Sequence, residues 1–132
     1  EKAFSEEPLF VVDGGHNPQC AQTVRDNLLR YFPDKRRILL LGILRDKDYA
    51  GLTAILDEAA DEYICITPQS PRALLAGELA DFLNRYNKPV AVCDAIRDGV
   101  SLALDRSDEG SVVCAVGSLY SVGEIRACFE RY

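Results

Sequence analysis

The chain has 132 residues, of which 48% are hydrophobic and 27% are charged, and its net charge at neutral pH is −6. This length and composition predict one globular domain and exclude a disordered chain. The longest strongly apolar run, residues 38–41, is far shorter than the roughly 20 residues of a membrane-spanning helix. The acidic charge argues against general binding to a nucleic acid backbone. Because the chain starts at Glu1 and contains no methionine, we expect it to be part of a longer protein.

The cysteines argue for a reducing compartment. Their number is odd, no CxxC pair occurs and the chain has a single histidine, so a zinc site or a disulfide framework is disfavoured. Cys65, Cys93 and Cys114 lie in β-branched runs, where cysteine usually serves as a small core residue. No signal peptide is visible. Five thiols and no export signal predict a cytoplasmic location.

Apolar runs alternate with helical periodicity from the amino terminus onward. Residues 1–8 are interpreted as the remnant of an interdomain linker, and residues 9–132 as a single domain. Residues 9–12 form an apolar run typical of a buried strand, and a helix with Pro18 at its first position follows. Residues 38–43 predict a second strand, after which Asp48 can cap a second helix.

The same pattern continues to the carboxyl terminus. Strands are predicted at residues 63–67, 89–93 and 111–116, and each is followed by a helix. The apolar stripe of the helix after residues 63–67 starts at Leu75. Gly117-Ser118 opens a last helix that carries Val122, Ile125 and Phe129. Repeated strand–helix units predict an α/β fold: a three-layer, Rossmann-like, mostly parallel sheet of five or six strands with helices on both faces.

In such sheets ligands bind beyond the carboxyl ends of the strands, so the loops at that edge are the candidate site. In the first loop, Asp13 can accept hydrogen bonds from a ribose, and His16 can bind phosphate or transfer a proton. The helix start at Asn17 and Pro18 suits an anion. The alternative is that Asp13 only caps the turn and that His16 is solvated.

Three later loops carry further candidates. Lys47 can hold a carboxylate or phosphate as a point charge, and Arg72 can grip a carboxylate with two hydrogen bonds. Asp46 is open to either a functional or a solvated role, whereas Asp48 favours a helix cap. The hydroxyl of Ser118 can bind a carboxylate; the alternative is that Ser118 serves only as the cap of the last helix.

Missing motifs narrow the possible functions. The chain has no P-loop, no GxGxxG after the first strand and no GxSxG elbow. A non-catalytic, receiver-like regulatory module has the same alternation of strands and helices. A receiver module would need an aspartate after the third predicted strand and a lysine after the fifth. This chain has Thr67-Pro68 and Gly117-Ser118 at those places.

Four motifs in a fixed order point to one family. They are VVDGGHNPQCAQTV at residues 11–24, LLLGILRDKDY at 39–49, PRAL at 71–74 and AVGSLYSVGEIR at 115–126. From about residue 9 to residue 126 the chain resembles the carboxyl-terminal domain of folylpolyglutamate synthase and dihydrofolate synthase, in the Mur ligase superfamily. A different Mur-type amino acid ligase, of a cell-wall or cyanophycin type, is the alternative within the superfamily.

The resemblance implies an ATP-dependent carbon–nitrogen ligase of folate metabolism. Such enzymes use MgATP to phosphorylate the terminal carboxylate of folate or dihydropteroate, and the amine of L-glutamate then attacks the acyl phosphate. The resemblance places the P-loop and the magnesium ligands in an amino-terminal ATPase domain that this chain lacks, with no metal ligand here. The isolated domain is therefore expected to be inactive.

The resemblance also assigns roles to individual residues. Asp13, His16 and Asn17 match the element that contacts ATP, with Asp13 at the ribose and His16 beside the reacting phosphate; Asp13 and His16 are the expected catalytic pair. Lys47 and Ser118 match positions that contact the incoming glutamate, and Arg72 is assigned to the same pocket.

Overall fold

The structure, a computed structural model, describes residues 2–6, 9–13 and 18–117. None of the helices in these ranges is long and apolar enough to span a membrane. The strands are β1 (Lys2–Glu6), β2 (Leu9–Asp13), β3 (Arg36–Gly42), β4 (Glu62–Cys65), β5 (Val90–Val92) and β6 (Ser111–Gly117). The helices are α1 (Pro18–Tyr31), α2 (Tyr49–Leu56), α3 (Ala76–Leu83) with a 3₁₀ turn at Asn84–Tyr86, and α4 (Ile96–Arg106). The predicted last helix lies outside the described residues.

All six strands form one sheet in the order β1-β2-β6-β3-β4-β5. Neighbouring strands in the series β2, β6, β3, β4 and β5 pair in parallel. Strand β1 pairs antiparallel with β2. The predicted α/β class and strand number are confirmed. The expectation that residues 1–8 contain no secondary-structure element is wrong, because residues 2–6 form β1. The short sequence of β1 has little strand signal of its own. The backbone groups of β1 pair with the edge of β2 that would otherwise be unpaired.

The strand order argues against the receiver-like alternative. Numbered along the chain, the five parallel strands lie in the order 1-5-2-3-4. Receiver domains have the doubly wound order 2-1-3-4-5. The return of the chain from β5 to a place between β2 and β3 therefore distinguishes this fold from a receiver.

Helices cover both faces of the sheet, which confirms the three layers. Helices α1, α2 and α3 pack on one face and α4 on the other. Right-handed crossovers explain this division, because α4 belongs to the one connection that runs back along the sheet. Strand β3 separates the two cores: Leu39 and Leu41 contribute to the first, Ile38 and Leu40 to the second.

Local expectations were met at most positions. Helix α1 begins at Pro18 as predicted, and the Oδ1 atom of Asp48 accepts a hydrogen bond of 3.0 Å from the backbone of Gly51 at the start of α2. Cys65 and Cys114 are buried in the core, as predicted. Burial raises the pKa of the Cys65 thiol to about 12, so this thiol is protonated at neutral pH.

Two apolar assignments were wrong in position. Leu75 is 50% exposed because it occupies the extended position just before α3 and does not belong to the buried stripe of that helix. Cys93 is only half-buried because it follows β5, the edge strand, which has a neighbour on one side only. Cys93 is exposed in part because β5 lies at the edge of the sheet, and the strand order decides which strand lies there.

Candidate functional site

The carboxyl ends of β2, β6 and β3 lie side by side. Asp13 at the end of β2 is in register with Val116 of β6, and Gly42 at the end of β3 is in register with Gly117. Neighbouring strands are about 4.8 Å apart, so the backbone of Asp13 lies roughly 10 Å from the end of β3. The segments that leave these three strands therefore start at one edge of the sheet.

The sequence-predicted residues divide into those that the structure describes and those that it does not. The backbone of Asp13, and the loops that carry Lys47 and Arg72, lie at the same edge of the sheet. His16, Asn17 and Ser118 lie outside the described residues, and their placement stays a prediction. Since Ser118 directly follows β6, it is the first residue beyond the strand that separates β2 from β3.

Two loops at this edge are joined by backbone hydrogen bonds; we call residues 43–48 and 66–75 the paired loops. The N–H of Arg45 donates to the carbonyl of Arg72 at 2.7 Å, and the N–H of Leu74 donates to the carbonyl of Ile43 at 2.9 Å. Leu44 forms an isolated bridge with Ala73 between these bonds. Buried apolar side chains lie beneath this backbone pairing, so the two loops act as one structural unit.

An ion pair connects the tips of the paired loops. The Nε atom of Arg72 donates to Oδ2 of Asp46 at 3.1 Å, and Nη2 donates to the same oxygen at 2.5 Å. Both side chains are about half exposed, at 54% for Arg72 and 55% for Asp46. The hydrogen bonds from Arg72 hold the pKa of the Asp46 carboxyl below its usual value, so Asp46 is charged near neutral pH.

Lys47 differs from the other cations of the paired loops. Arg45 lies 3.6 Å from a carboxylate oxygen of Glu78, and Arg72 is paired with Asp46. Within residues 18–116, whose side chains the structure describes, Lys47 forms no ion pair with a carboxylate. Its backbone lies in a tight turn, where its N–H donates to the carbonyl of Leu44 at 3.2 Å. Lys47 is thus a half-buried residue whose ammonium is not paired with a carboxylate of residues 18–116.

Sequence reasoning missed two contacts that shape this edge. The Oγ1 atom of Thr67 accepts a hydrogen bond of 2.9 Å from the backbone of Ala76, which anchors the start of α3 to the end of the sheet. The pairing of Asp46 with Arg72 also had no signal, because the partners are 26 residues apart. The first contact joins the two ends of one loop, and the second depends on the proximity of two loops. Neither is encoded by a local pattern.

The described residues suit anions better than metal ions. Among them, no group of three or more His, Cys, Asp or Glu side chains could hold a metal. Lys47 and Arg72 are instead suited to carboxylate or phosphate. The arrangement can bind a small acidic molecule at the carboxyl edge of the sheet.

Comparisons with known proteins identify a family for this chain. Residues 2–119 match the family described as Mur ligase, glutamate ligase domain. The dihydrofolate synthase/folylpolyglutamate synthase of Haemophilus influenzae is 32% identical over 127 residues, which cover 93% of this chain and 29% of that protein. The chain thus spans under a third of the length of this relative.

Solved structures show the same fold. A bifunctional folylpolyglutamate synthase/dihydrofolate synthase from Yersinia pestis, complexed with AMPPNP and Mn ion, superposes with a TM-score of 0.89 at 29% identity, covering 98% of this chain and 30% of that one. A structure of bifunctional folylpolyglutamate synthase/dihydrofolate synthase with Mn, AMPPNP and L-glutamate bound gives a TM-score of 0.83 at 29% identity, covering 92% of this chain and 29% of that one. The likeness therefore extends over nearly the whole chain.

Proposed function

Because this chain belongs to the glutamate ligase domain family of the Mur ligases, we propose that it is the glutamate- and nucleotide-contacting domain of an ATP-dependent ligase that adds L-glutamate to folate or dihydropteroate. The observation that carries the proposal is the placement of Lys47 and Arg72 on the paired loops, at the same edge of the sheet as Asp13. The relatives are named for folate substrates, which favours folate over the substrates of other Mur-type ligases.

ATP would supply the activation step, in which its γ-phosphoryl group is transferred to the terminal carboxylate and the glutamate amine then displaces phosphate to form an amide. In this scheme Asp13 binds the ribose, and Asn17 and His16 contact the phosphates. His16, whose ring can hold or release a proton near neutral pH, acts beside the reacting phosphate. We propose that the magnesium ligands belong to the amino-terminal ATPase domain, in keeping with the relatives that bind AMPPNP with Mn.

The glutamate pocket is proposed to use positive groups of an otherwise acidic chain. L-glutamate has two carboxylates, and each needs a cation or several N–H or O–H donors when it leaves water. Lys47 supplies a point charge and Arg72 supplies planar N–H donors. Ser118 would add a hydroxyl from the end of β6, and a relative binds L-glutamate together with AMPPNP. These three residues are the proposed glutamate ligands.

Closure of this domain over the ATPase domain would complete the site. An acyl phosphate reacts with water, so exclusion of water protects the intermediate until the amine attacks. The complete ligase below means this chain together with that amino-terminal ATPase domain.

We expect the isolated chain to show no glutamate addition, because the groups that bind the triphosphate and the metal lie on the other domain. The measurement is incorporation of radiolabelled L-glutamate into folate and dihydropteroate with ATP and Mg²⁺. The complete ligase, assayed at equal concentration, is the positive control. Glutamate incorporation by the chain alone would contradict the proposed division of roles.

Replacing Lys47 by alanine in the complete ligase should raise the KM for L-glutamate about tenfold, which corresponds to roughly 1.4 kcal/mol. The physical reason is the loss of the ammonium that is not paired with a described carboxylate. The KM for ATP should stay within about twofold of the parent value. Steady-state kinetics with each substrate varied in turn measure both constants.

The matched control is Lys35→Ala, which removes a lysine just before β3, at the opposite edge of the sheet. Its Nζ atom donates to the backbone carbonyl of Glu109 at 2.6 Å. This variant should leave the KM for glutamate unchanged. If the Lys47 variant and the parent enzyme have equal KM values for glutamate, Lys47 is not a glutamate ligand.

A further inference from the structure

The ion pair between Asp46 and Arg72 uses one particular edge of the guanidinium. Oδ2 of Asp46 accepts from Nε and from Nη2 of Arg72. A guanidinium has five N–H donors, of which this contact takes two. Within residues 18–116 no side-chain or backbone oxygen accepts a hydrogen bond from Nη1. The end of the guanidinium, formed by Nη1 and the second hydrogen of Nη2, can therefore donate to a second carboxylate.

The backbone beneath the pair is held in place on both sides. Arg72 accepts a 2.7 Å hydrogen bond from Arg45 through its carbonyl, and its own N–H donates to the Oγ atom of Ser70 at 3.1 Å. Asp46 lies between Arg45 and Lys47 in the facing loop. The position of the carboxylate relative to the backbone of Arg72 is thus set by the paired loops, and only the long arginine side chain needs to be oriented.

From this geometry we propose that Asp46 is a positioning residue: it orients the guanidinium of Arg72 so that the Nη1–Nη2 end binds a carboxylate of the incoming glutamate. This inference rests on the proposed function, in which Arg72 belongs to the glutamate pocket. Asp46 itself does not touch the substrate.

The ion pair between Asp46 and Arg72 should affect the orientation of the arginine more than the stability of the fold. Both side chains are half exposed, and exposed ion pairs contribute little to folding. An arginine side chain has several rotatable bonds, and fixing them during binding weakens affinity. When Asp46 orients the side chain beforehand, glutamate binds to a donor pair that is already arranged. Asp46 should therefore affect the affinity for glutamate much more than the stability of the domain.

The test is Asp46→Asn in the complete ligase, with glutamate and ATP varied separately. We expect the KM for L-glutamate to rise about fivefold, and kcat and the KM for ATP to stay within about twofold. The melting temperature should not change. Asp46→Glu keeps the charge and should recover part of the affinity.

The matched control is Glu78→Gln, which removes a carboxylate from the neighbouring exposed ion pair with Arg45. It should leave the KM for glutamate unchanged. If Glu78→Gln and Asp46→Asn raise this KM equally, the effect reflects charge in the region, and the specific role of Asp46 is refuted.

A double-mutant cycle with Arg72→Ala separates this inference from the proposed function. Arg72→Ala should raise the KM for glutamate, and adding Asp46→Asn should have no further effect. If Arg72→Ala raises the KM but Asp46→Asn does not, positioning is wrong and the pocket assignment stands. If Arg72→Ala does not change the KM for glutamate, Arg72 is not a glutamate ligand. The pocket assignment of Arg72 and the positioning role of Asp46 then both fail. A lower KM in Asp46→Asn would show that Asp46 competes with the substrate, which also overturns the inference.

Discussion

Replacement of His16 by alanine in the complete ligase is expected to lower kcat by about a hundredfold or more, as is usual when a group that transfers or holds a proton at the reacting centre is lost. His16 is the only histidine of the chain and belongs to the HNP element three residues beyond the end of β2. No other imidazole in this chain can take its place. Single-turnover and steady-state rates measure the loss.

Two measurements distinguish a catalytic histidine from a structural one. His16→Ala should melt at the temperature of the parent protein, since its proposed contacts are with the substrates. His16→Gln keeps hydrogen-bonding capacity but cannot transfer a proton, so it should be nearly as slow as the alanine variant. A large fall in melting temperature, or full activity in the glutamine variant, would refute the catalytic role.

Gly99→Ala should destabilise the domain by about 2 kcal/mol, the usual cost of forcing an extra methyl group into a packed core. Gly99 lies in α4 where this helix packs on the sheet. A Cβ at this position would lie 2.4 Å from Cγ2 of Ile66 and 3.1 Å from Cδ1 of Leu40. Because both neighbours are buried, the added methyl group can be accommodated only if the helix moves away from the sheet.

Gly77→Ala is the control, since Gly77 also lies in a helix but has nothing within 4 Å of its would-be Cβ. Here alanine should stabilise the domain by about 0.5–1 kcal/mol through its higher helix propensity. Chemical denaturation of the 132-residue chain gives both free energies of unfolding. If both variants are stabilised to the same extent, the close packing of α4 against Ile66 is not present in solution.

Most of the fold could be predicted because the relevant signals are local. The uninterrupted apolar run at residues 38–41 indicates a strand that is buried on both faces, and it lies at the centre of β3. Pro18 and Asp48 mark helix starts, because a fixed φ angle and a capping carboxylate act within one helical turn. Strand β1 could not be predicted in this way, because its pairing depends on the free edge of β2.

The candidate site was predictable only in part. The loops at the carboxyl edge follow from the alternation of strands and helices alone. The sequence identifies Arg72 and Lys47 as cations of two loops at this edge, but a sequence does not show which cation already has a partner. In the structure Asp46 pairs with Arg72, whereas no carboxylate within residues 18–116 pairs with Lys47, and that difference separates their proposed roles.

By itself the sequence determined the α/β class, the order of the described helices, the loops of the candidate site and the resemblance to the glutamate-adding ligases. These features depend on periodicity, capping residues and short motifs, which act over a few neighbouring positions. Tertiary structure alone decided the place of β6 between β2 and β3, the pairing of β1 and the joining of the paired loops. Each of these requires contact between segments far apart in the chain, and their mutual approach depends on how the whole sheet assembles.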